Sequence, residues 1–204
     1  MRVSVIIPCY NVEDHVEVAV RSVMDQTYAD LDVFAVDDGS TDGTRAKLEA
    51  LERSYPGRFR WVGGPRRGAC AARNIGLANT TGEYVQFLDA DDLLLPGKIT
   101  EQLALAENAD VLYESATFVG IDGGRHVKVP ADEIEVGLMA GNLGNTCANL
   151  WSTAKLIQVN GWDQRLPSSQ EYDLMLRLYE AEARFKKLAG DRTVVRERAS
   201  GQIS

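Results

Sequence analysis

The sequence predicts an α/β fold with a mostly parallel sheet flanked by helices, and three features of the chain lead there. In the first half of the chain, short β-branched runs alternate with segments whose apolar residues recur at helical spacing, the pattern of βαβ units. The polar segments "PCYN", "DDGSTD" and "DADD" each follow one of those runs. They therefore fall at strand carboxyl ends, the edge of such a sheet where ligands bind, and converge on one crevice. With 204 residues, 45% of them hydrophobic, the chain has enough apolar surface for one domain with a real core.

Taken in order, Val3 to Ile7 is a buried strand stopped by Pro8. Val16, Ala19, Val20, Val23 and Met24 mark one face of a helix reaching about Gln26. Leu31 to Val36 is a second strand, and Thr41 or Asp42 is placed to cap a helix carrying Leu48 and Leu51. Phe59 to Val62 is a third strand, the Gly63-Gly64-Pro65 turn leads into a helix through Ile75 and Leu77, and Tyr84 to Leu88 is a fourth strand. Beyond Pro96 the pattern predicts a helix from Gly97 to Glu107 and a single strand from Val111 to Val119, followed by a hairpin turn at Gly123-Gly124. A strand near Cys147 to Trp151, a short helix near Lys155 and a helix from Gln170 to Glu182 complete it; residues 127–144 give no clear pattern.

Composition excludes several classes. The net charge of -8 argues against a nucleic-acid surface, which needs clustered Lys and Arg. Cys9, Cys70 and Cys147 are odd in number and far apart, giving neither a zinc pattern nor a disulfide framework, and are expected as reduced thiols. No apolar stretch is long enough to span a bilayer, and "VSVIIP" is too short and too soon followed by Asn11, Glu13 and Asp14 to be a signal peptide. The expectation is a cytoplasmic protein, compatible with resting on the inner face of a membrane and with self-association. His15 and His126 are isolated and expected at the surface.

Three acids in "FLDADD" repel one another unless a positive group lies between them. On a strand end, Asp89 and Asp91 point the same way, so both suit one divalent cation, or one binds metal while the other orients a ligand; the plain alternative is a loop with Asp92 as a helix cap. Asp37-Asp38-Gly39-Ser40 offers a carboxylate to a nucleobase or ribose, or is an ordinary turn before a helix. Arg66-Arg67-Gly68 through Arg73 offers guanidinium groups and a helix start to a diphosphate, or is a solvated basic helix end. Glu171 and Asp173 complement a helix N-terminus, and either serves as a general base if the fold brings it to the crevice.

Together and in order, "VSVIIPCYN", "SVMDQTYADLDVFAVDDGSTDGT", "RRGACAARNIGLANTTGEYVQFLDADDLLLPG" and, more loosely, "VNGWDQRLPSSQEYDLMLRL" resemble the family 2 glycosyltransferases of the GT-A fold. The first three cover almost all of residues 3–97 and the last roughly residues 150–180. The resemblance implies an inverting transfer from a nucleotide-diphosphate sugar, most simply a UDP-sugar, to a saccharide or lipid-linked acceptor, assisted by Mg2+ or Mn2+. It implies one domain over residues 1–204, with residues 1–97 as the nucleotide-sugar half and 98–204 as the acceptor half. Pro8, Tyr10 and Asn11 would line the nucleoside pocket, Asp38 would bond the base beside Asp37, Arg73 would approach the ribose or diphosphate, Asp89 would orient ribose or sugar, and Asp91 would hold the metal, with Asp89 next to it.

Two departures stand out. Where the family has Glu-Asp ahead of the last helix, this chain has Gln170-Glu171, so Glu171 inherits the base and Asp173 is the reserve. Where many relatives carry Arg-x-His, it has Arg196-Glu197-Arg198, which would put a phosphate-facing cation at Arg198. The rival readings are a sugar-phosphate nucleotidyltransferase, disfavoured because no Gly-rich loop follows the first strand, and a nucleotide-sugar-binding protein without turnover.

Overall fold

The computed structural model describes residues 1–197, so the expectation for Arg198 lies outside the described residues. The first half is the alternation read from the sequence: β1 (Val3–Cys9), α1 (Val16–Met24), β2 (Leu31–Asp37), α2 (Thr44–Ser54), β3 (Phe59–Gly63), α3 (Ala69–Ala78) and β4 (Tyr84–Phe87). These four strands lie side by side and parallel, in the order β4-β1-β2-β3. Every residue of β1 and β2 is buried, which is why both read as continuous apolar runs rather than as alternation. Helix α3 lies close on β1: a Cβ added at Gly76 would stand 2.3 Å from Ile6 Cγ2, so only glycine allows that approach.

Pro8 sits in the central strand at no cost in hydrogen bonds. The Ile6 carbonyl accepts from Leu88 N on the β4 side and the Cys9 carbonyl from Asp38 N on the β2 side. By alternation Pro8 therefore faces β4, whose register with β1 ends at Ile6 opposite Phe87. The missing N–H falls where the two strands part.

The second half adds β5 (Leu93–Leu94), α4 (Lys98–Ala104), β6 (Val111–Tyr113), β7 (Ala116–Val119), β8 (Arg125–Lys128), α5 (Ile134–Ala140), β9 (Leu150–Ser152), α6 (Thr153–Gln158), α7 (Gln170–Glu180), β10 (Phe185–Lys187) and β11 (Thr193–Arg196). The main sheet becomes β10-β6-β9-β4-β1-β2-β3, with β9 antiparallel to both neighbours, and a smaller sheet β5-β11-β7-β8 stands beside it. The strand expected over Val111 to Val119 is two strands in two sheets. It breaks at Glu114, whose carboxylate turns inward to Lys98 Nζ at 2.8 Å, and at Ser115, whose amide leaves for Gly190 O. The Gly123-Gly124 hairpin joins β7 to β8 as expected. Strands β10 and β11 have no counterpart in the sequence reading. Cys147 lies in a turn before β9, not on a strand. Among the described residues, no helix is long and apolar enough to cross a membrane.

One apolar cluster runs from Val3 through Leu112 and Leu150 to Leu188, so both halves share it, and a second holds Phe87, Trp151, Trp162 and Leu174 beneath α7. All three cysteines are free and buried, and His126 is exposed, stacked on Phe118.

Candidate active site

The loops after β1 and β2 lock each other. Asn11, at φ 50, gives its amide to Ser40 Oγ at 3.0 Å and takes Thr41 N on its side-chain oxygen at 2.8 Å. Asp42 accepts from Glu13 N and from Thr44 N just ahead of α2, but the cap position itself is Gly43, so neither Thr41 nor Asp42 is the helix cap expected. The side-chain oxygen of Asn11 thus braces the loop after β2, one residue from Tyr10.

Strand alternation separates the two consecutive acids. Asp37 is fully buried, accepting from Ser40 N at 3.1 Å and from Arg45 Nε at 2.6 Å. The Asp37 side chain, expected beside the cofactor, is engaged internally toward α2 in this structure. Asp38 points the other way and accepts from Arg67 N at 3.1 Å and Gly68 N at 2.6 Å. Gly68, at φ +90, then carries the chain from these two amides into the start of α3, a backbone conformation that favours glycine. Arg66, itself at φ 57, donates to Tyr10 Oη at 3.0 Å with its guanidinium 5.7 Å from the ring centroid. Tyr10, Asp38 and Arg66 thus line one wall at the carboxyl ends of β1 and β2. Arg66 was missed as an individual site residue; its signal was a cation inside a Gly-rich turn, and nothing local distinguished it from Arg67.

From α3, Arg73 reaches the last strand end. It is buried, donates to Asp89 Oδ1 at 2.7 Å, and lies 4.7 Å from the centroid of the Trp162 ring. The next residue, Asn74, holds the Trp162 backbone from both sides, donating to its carbonyl and accepting from its amide, each at 2.8 Å. The "GWD" segment is therefore the shelf on which Arg73 rests.

Strand β4 ends at Phe87, and residues 89–92 form a turn closed by Asp92 N to Asp89 O at 2.9 Å. This turn replaces the strand alternation expected to put Asp89 and Asp91 on one face. Ligand atoms of Asp89, Asp92 and Cys147 lie within 4.8 Å of one another. Arg196 fastens the turn, its amide donating to Asp92 Oδ1 at 2.9 Å and its Nε to the Asp91 carbonyl. Burial, then the charges of Asp89 and Asp91, push the Asp92 carboxyl up to about 8, the repulsion expected of three close acids. Burial also drives the Cys147 thiol far above its usual range, so a neutral thiol faces the acids. Asp91, the expected metal ligand, is not among Asp89, Asp92 and Cys147; the carboxylates of Asp89 and Asp92 suit a hard divalent cation and a neutral thiol adds no competing soft ligand, so they fit Mg2+ or Mn2+.

Glu171 and Asp173 are both on the first turn of α7, but residues two apart on a helix do not share a face. Asp173 accepts from Arg177 Nε and Nη2 at 2.9 and 2.7 Å, and Arg177 in turn donates to Val159 O. Glu171 instead faces a cavity of about 210 Å³ bordered by Lys128, Asn145 and Tyr172, and accepts from Thr146 Oγ1 at 2.5 Å. Burial raises the Glu171 carboxyl to about 7 against the opposing pull of the Thr146 hydrogen bonds and the charges of Arg73 and Lys128.

The family model for glycosyl transferase family 2 matches residues 4–168, most of the chain. The chain belongs to glycosyl transferase family 2. A family relative described as an uncharacterized glycosyltransferase, from Rickettsia bellii, is 30% identical over 91% of this chain and 29% of its own length. A glucosyltransferase of Escherichia coli, WfgD, named for UDP-Glc and α-D-GlcNAc-diphosphoundecaprenol, is 35% identical over 54% of this chain and 44% of its own length. This chain thus spans well under two thirds of these relatives. In fold, it matches residues 1–349 of S. aureus TarS in complex with UDP-GlcNAc, with a TM-score of 0.81 at 23% identity over all of this chain and 60% of that one. The mannosyltransferase PcManGT of Pyrobaculum calidifontis, in complex with GDP-Man and Mn2+, matches with a TM-score of 0.73 at 20% identity over 96% of this chain and 56% of that one. The GT-A architecture, a mostly parallel α/β sheet flanked by helices, is that of these family neighbours.

Proposed function

We propose that this chain carries out inverting glycosyl transfer from a nucleotide-diphosphate sugar, with a UDP-sugar as the favoured donor, to an acceptor hydroxyl, with Glu171 as general base. The observation that carries the reading is that Glu171, raised toward neutrality, lies at a cavity within electrostatic reach of Arg73, which grips Asp89 at the donor-side crevice. Residues 1–97 form the donor half and the remainder the acceptor half. Tyr10, Pro8 and the Asn11-braced loop frame the nucleoside, Asp38 meets the base, and Arg73 and Asp89 face the ribose or diphosphate. The acceptor oxygen attacks the anomeric carbon as its proton passes to the Glu171 carboxylate. The bond from that carbon to the diphosphate oxygen breaks, and the nucleoside diphosphate leaves with the electron pair. Mg2+ or Mn2+, which Asp89 and Asp92 would hold with Asp91 on the same turn, would supply charge neutralisation for the leaving diphosphate. The UDP-sugars named for TarS and WfgD support the donor class, and the diphosphoundecaprenol acceptor named for WfgD supports a lipid-linked saccharide acceptor.

Calorimetry with UDP, GDP and dTDP, each with and without Mn2+, tests the donor side; metal-strengthened binding of UDP is expected, and no binding of any would overturn the reading. Binding without transfer or donor hydrolysis would instead identify a non-catalytic nucleotide-sugar protein. Pyrophosphate release from a sugar 1-phosphate and a nucleoside triphosphate would identify a nucleotidyltransferase.

A further inference from the structure

One short turn, residues 145–148, touches both chemical ends of the site. Thr146 Oγ1 donates to Glu171 Oε2 at 2.5 Å, and the adjacent Cys147 Sγ takes the Asp89 amide at 3.2 Å. The turn is fastened from within the core. Gln86 Nε2 donates to the Cys147 carbonyl at 2.8 Å, while Lys98 Nζ and Gln102 Nε2 donate to the Ala148 carbonyl at 2.7 and 2.9 Å. Gln86, Lys98 and Gln102 are fully or almost fully buried, and Asn145 Oδ1 holds the Cys147 amide at 2.9 Å. A backbone clamped at successive carbonyls by buried donors has little room to slide, so the separation of Thr146 from the Asp89 turn is fixed.

Glutamate needs such a support more than aspartate does. It has one more rotatable bond, and each free rotamer dilutes the reactive geometry and must be frozen out in the transition state. We propose that Thr146 is a positioning residue for the base: its hydroxyl holds Glu171 Oε2 and leaves Oε1 as the oxygen that takes the acceptor proton. The inference rests on the reading of Glu171 as base, because Thr146 itself touches no reacting atom. The groups facing Glu171 are Thr146 from the turn, Arg73 from α3 and Lys128 from β8, and all three favour the ionised carboxylate. Loss of the hydroxyl removes the bond at 2.5 Å and keeps the backbone of Thr146 in place.

The test compares Thr146→Val, close in shape but without the hydroxyl, and Thr146→Ser, which keeps it, alone and combined with Glu171→Gln. The probes are UDP-Glc, UDP-GlcNAc and GDP-Man with Mn2+, with release of the nucleoside diphosphate to water as the readout. Carbon NMR titration of Glu171, assigned by its loss in Glu171→Gln, reads the same carboxyl without turnover. Thr146→Val is expected to lower kcat by about tenfold to a hundredfold, the range for a lost hydrogen bond to a charged group. It should leave donor KM and melting temperature nearly unchanged and move the acid limb of kcat/KM and the Glu171 titration to higher pH. Thr146→Ser should recover most of the rate, and in the Glu171→Gln background Thr146→Val should add no further loss.

A wild-type rate with an unshifted Glu171 titration in Thr146→Val would overturn the proposal. So would an equal loss from Thr146→Val in the Glu171→Gln background, since the hydroxyl would then act elsewhere. A wild-type rate in Glu171→Gln removes the base reading itself, an outcome separable from either of these.

Discussion

Residues 1–97 bring their polar side chains to the crevice on loops after parallel strands, whereas residues 98–197 supply short strands to two sheets and place their carboxylate on a helix. In the first part the site is built by neighbouring loops that bind each other, as Asn11 binds Thr41 and Asp38 binds Gly68. In the second it depends on clamps between distant elements: Glu171 on Thr146, Lys98 on Glu114 and Ala148, Arg196 on the 89–92 turn. A parallel sheet gives its carboxyl edge a shared geometry that loops can inherit. Outside that sheet, every functional distance has to be set by its own buried contact.

The sharpest break of this contrast is Glu171→Gln, which removes proton acceptance without removing volume. Transfer should fall by about a hundredfold to ten-thousandfold, the usual weight of a general base, while UDP binding measured by calorimetry stays close to wild type. Lys98→Met comes next. Lys98 and Glu114 are paired at 2.8 Å and almost fully buried, so losing one partner leaves the other charge uncompensated. Unfolding in denaturant should show a loss of about 3–5 kcal/mol, with most of it recovered when Glu114 is also replaced by Leu.

The pH profile sharpens the same comparison. Glu171 accepts a proton only when ionised, and its carboxyl is raised to about 7, so turnover should climb through neutral pH and level off above it. A flat acid limb across that range would separate the base from Glu171. On the parallel-sheet side, Gly76→Ala forces a Cβ against Ile6, and a thermal melt should report about 1–3 kcal/mol of destabilisation with little change in the pH profile. Asp173→Asn should matter least: it breaks a half-buried i,i+4 pair with Arg177, worth about 0.5 kcal/mol by the same melt.

How much was legible follows the same division. The "PCYN", "DDGS" and "DADD" segments could be placed at strand ends because buried parallel strands read as unbroken apolar runs closed by turn residues. Strands β10 and β11 could not, since Phe185–Lys187 and Thr193–Arg196 are short and only partly buried and their pairing partners are distant in sequence. The break at Glu114 was hidden for a related reason: a buried acid looks like a surface one until its lysine is known.

By itself the sequence determined the α/β alternation, the polar segments at the strand carboxyl ends and the family, because each rests on local periodicity or on contiguous motifs. Only the tertiary structure decided that Asp37 turns inward while Asp38 faces the β3–α3 loop, that residues 89–92 turn rather than extend, and that Glu171 faces a cavity while Asp173 is held by Arg177. Chain chemistry says which groups are present; the direction each one points is set by the partner that satisfies it, whether Arg177 one helical turn from Asp173 or Gly68 across the sheet edge from Asp38.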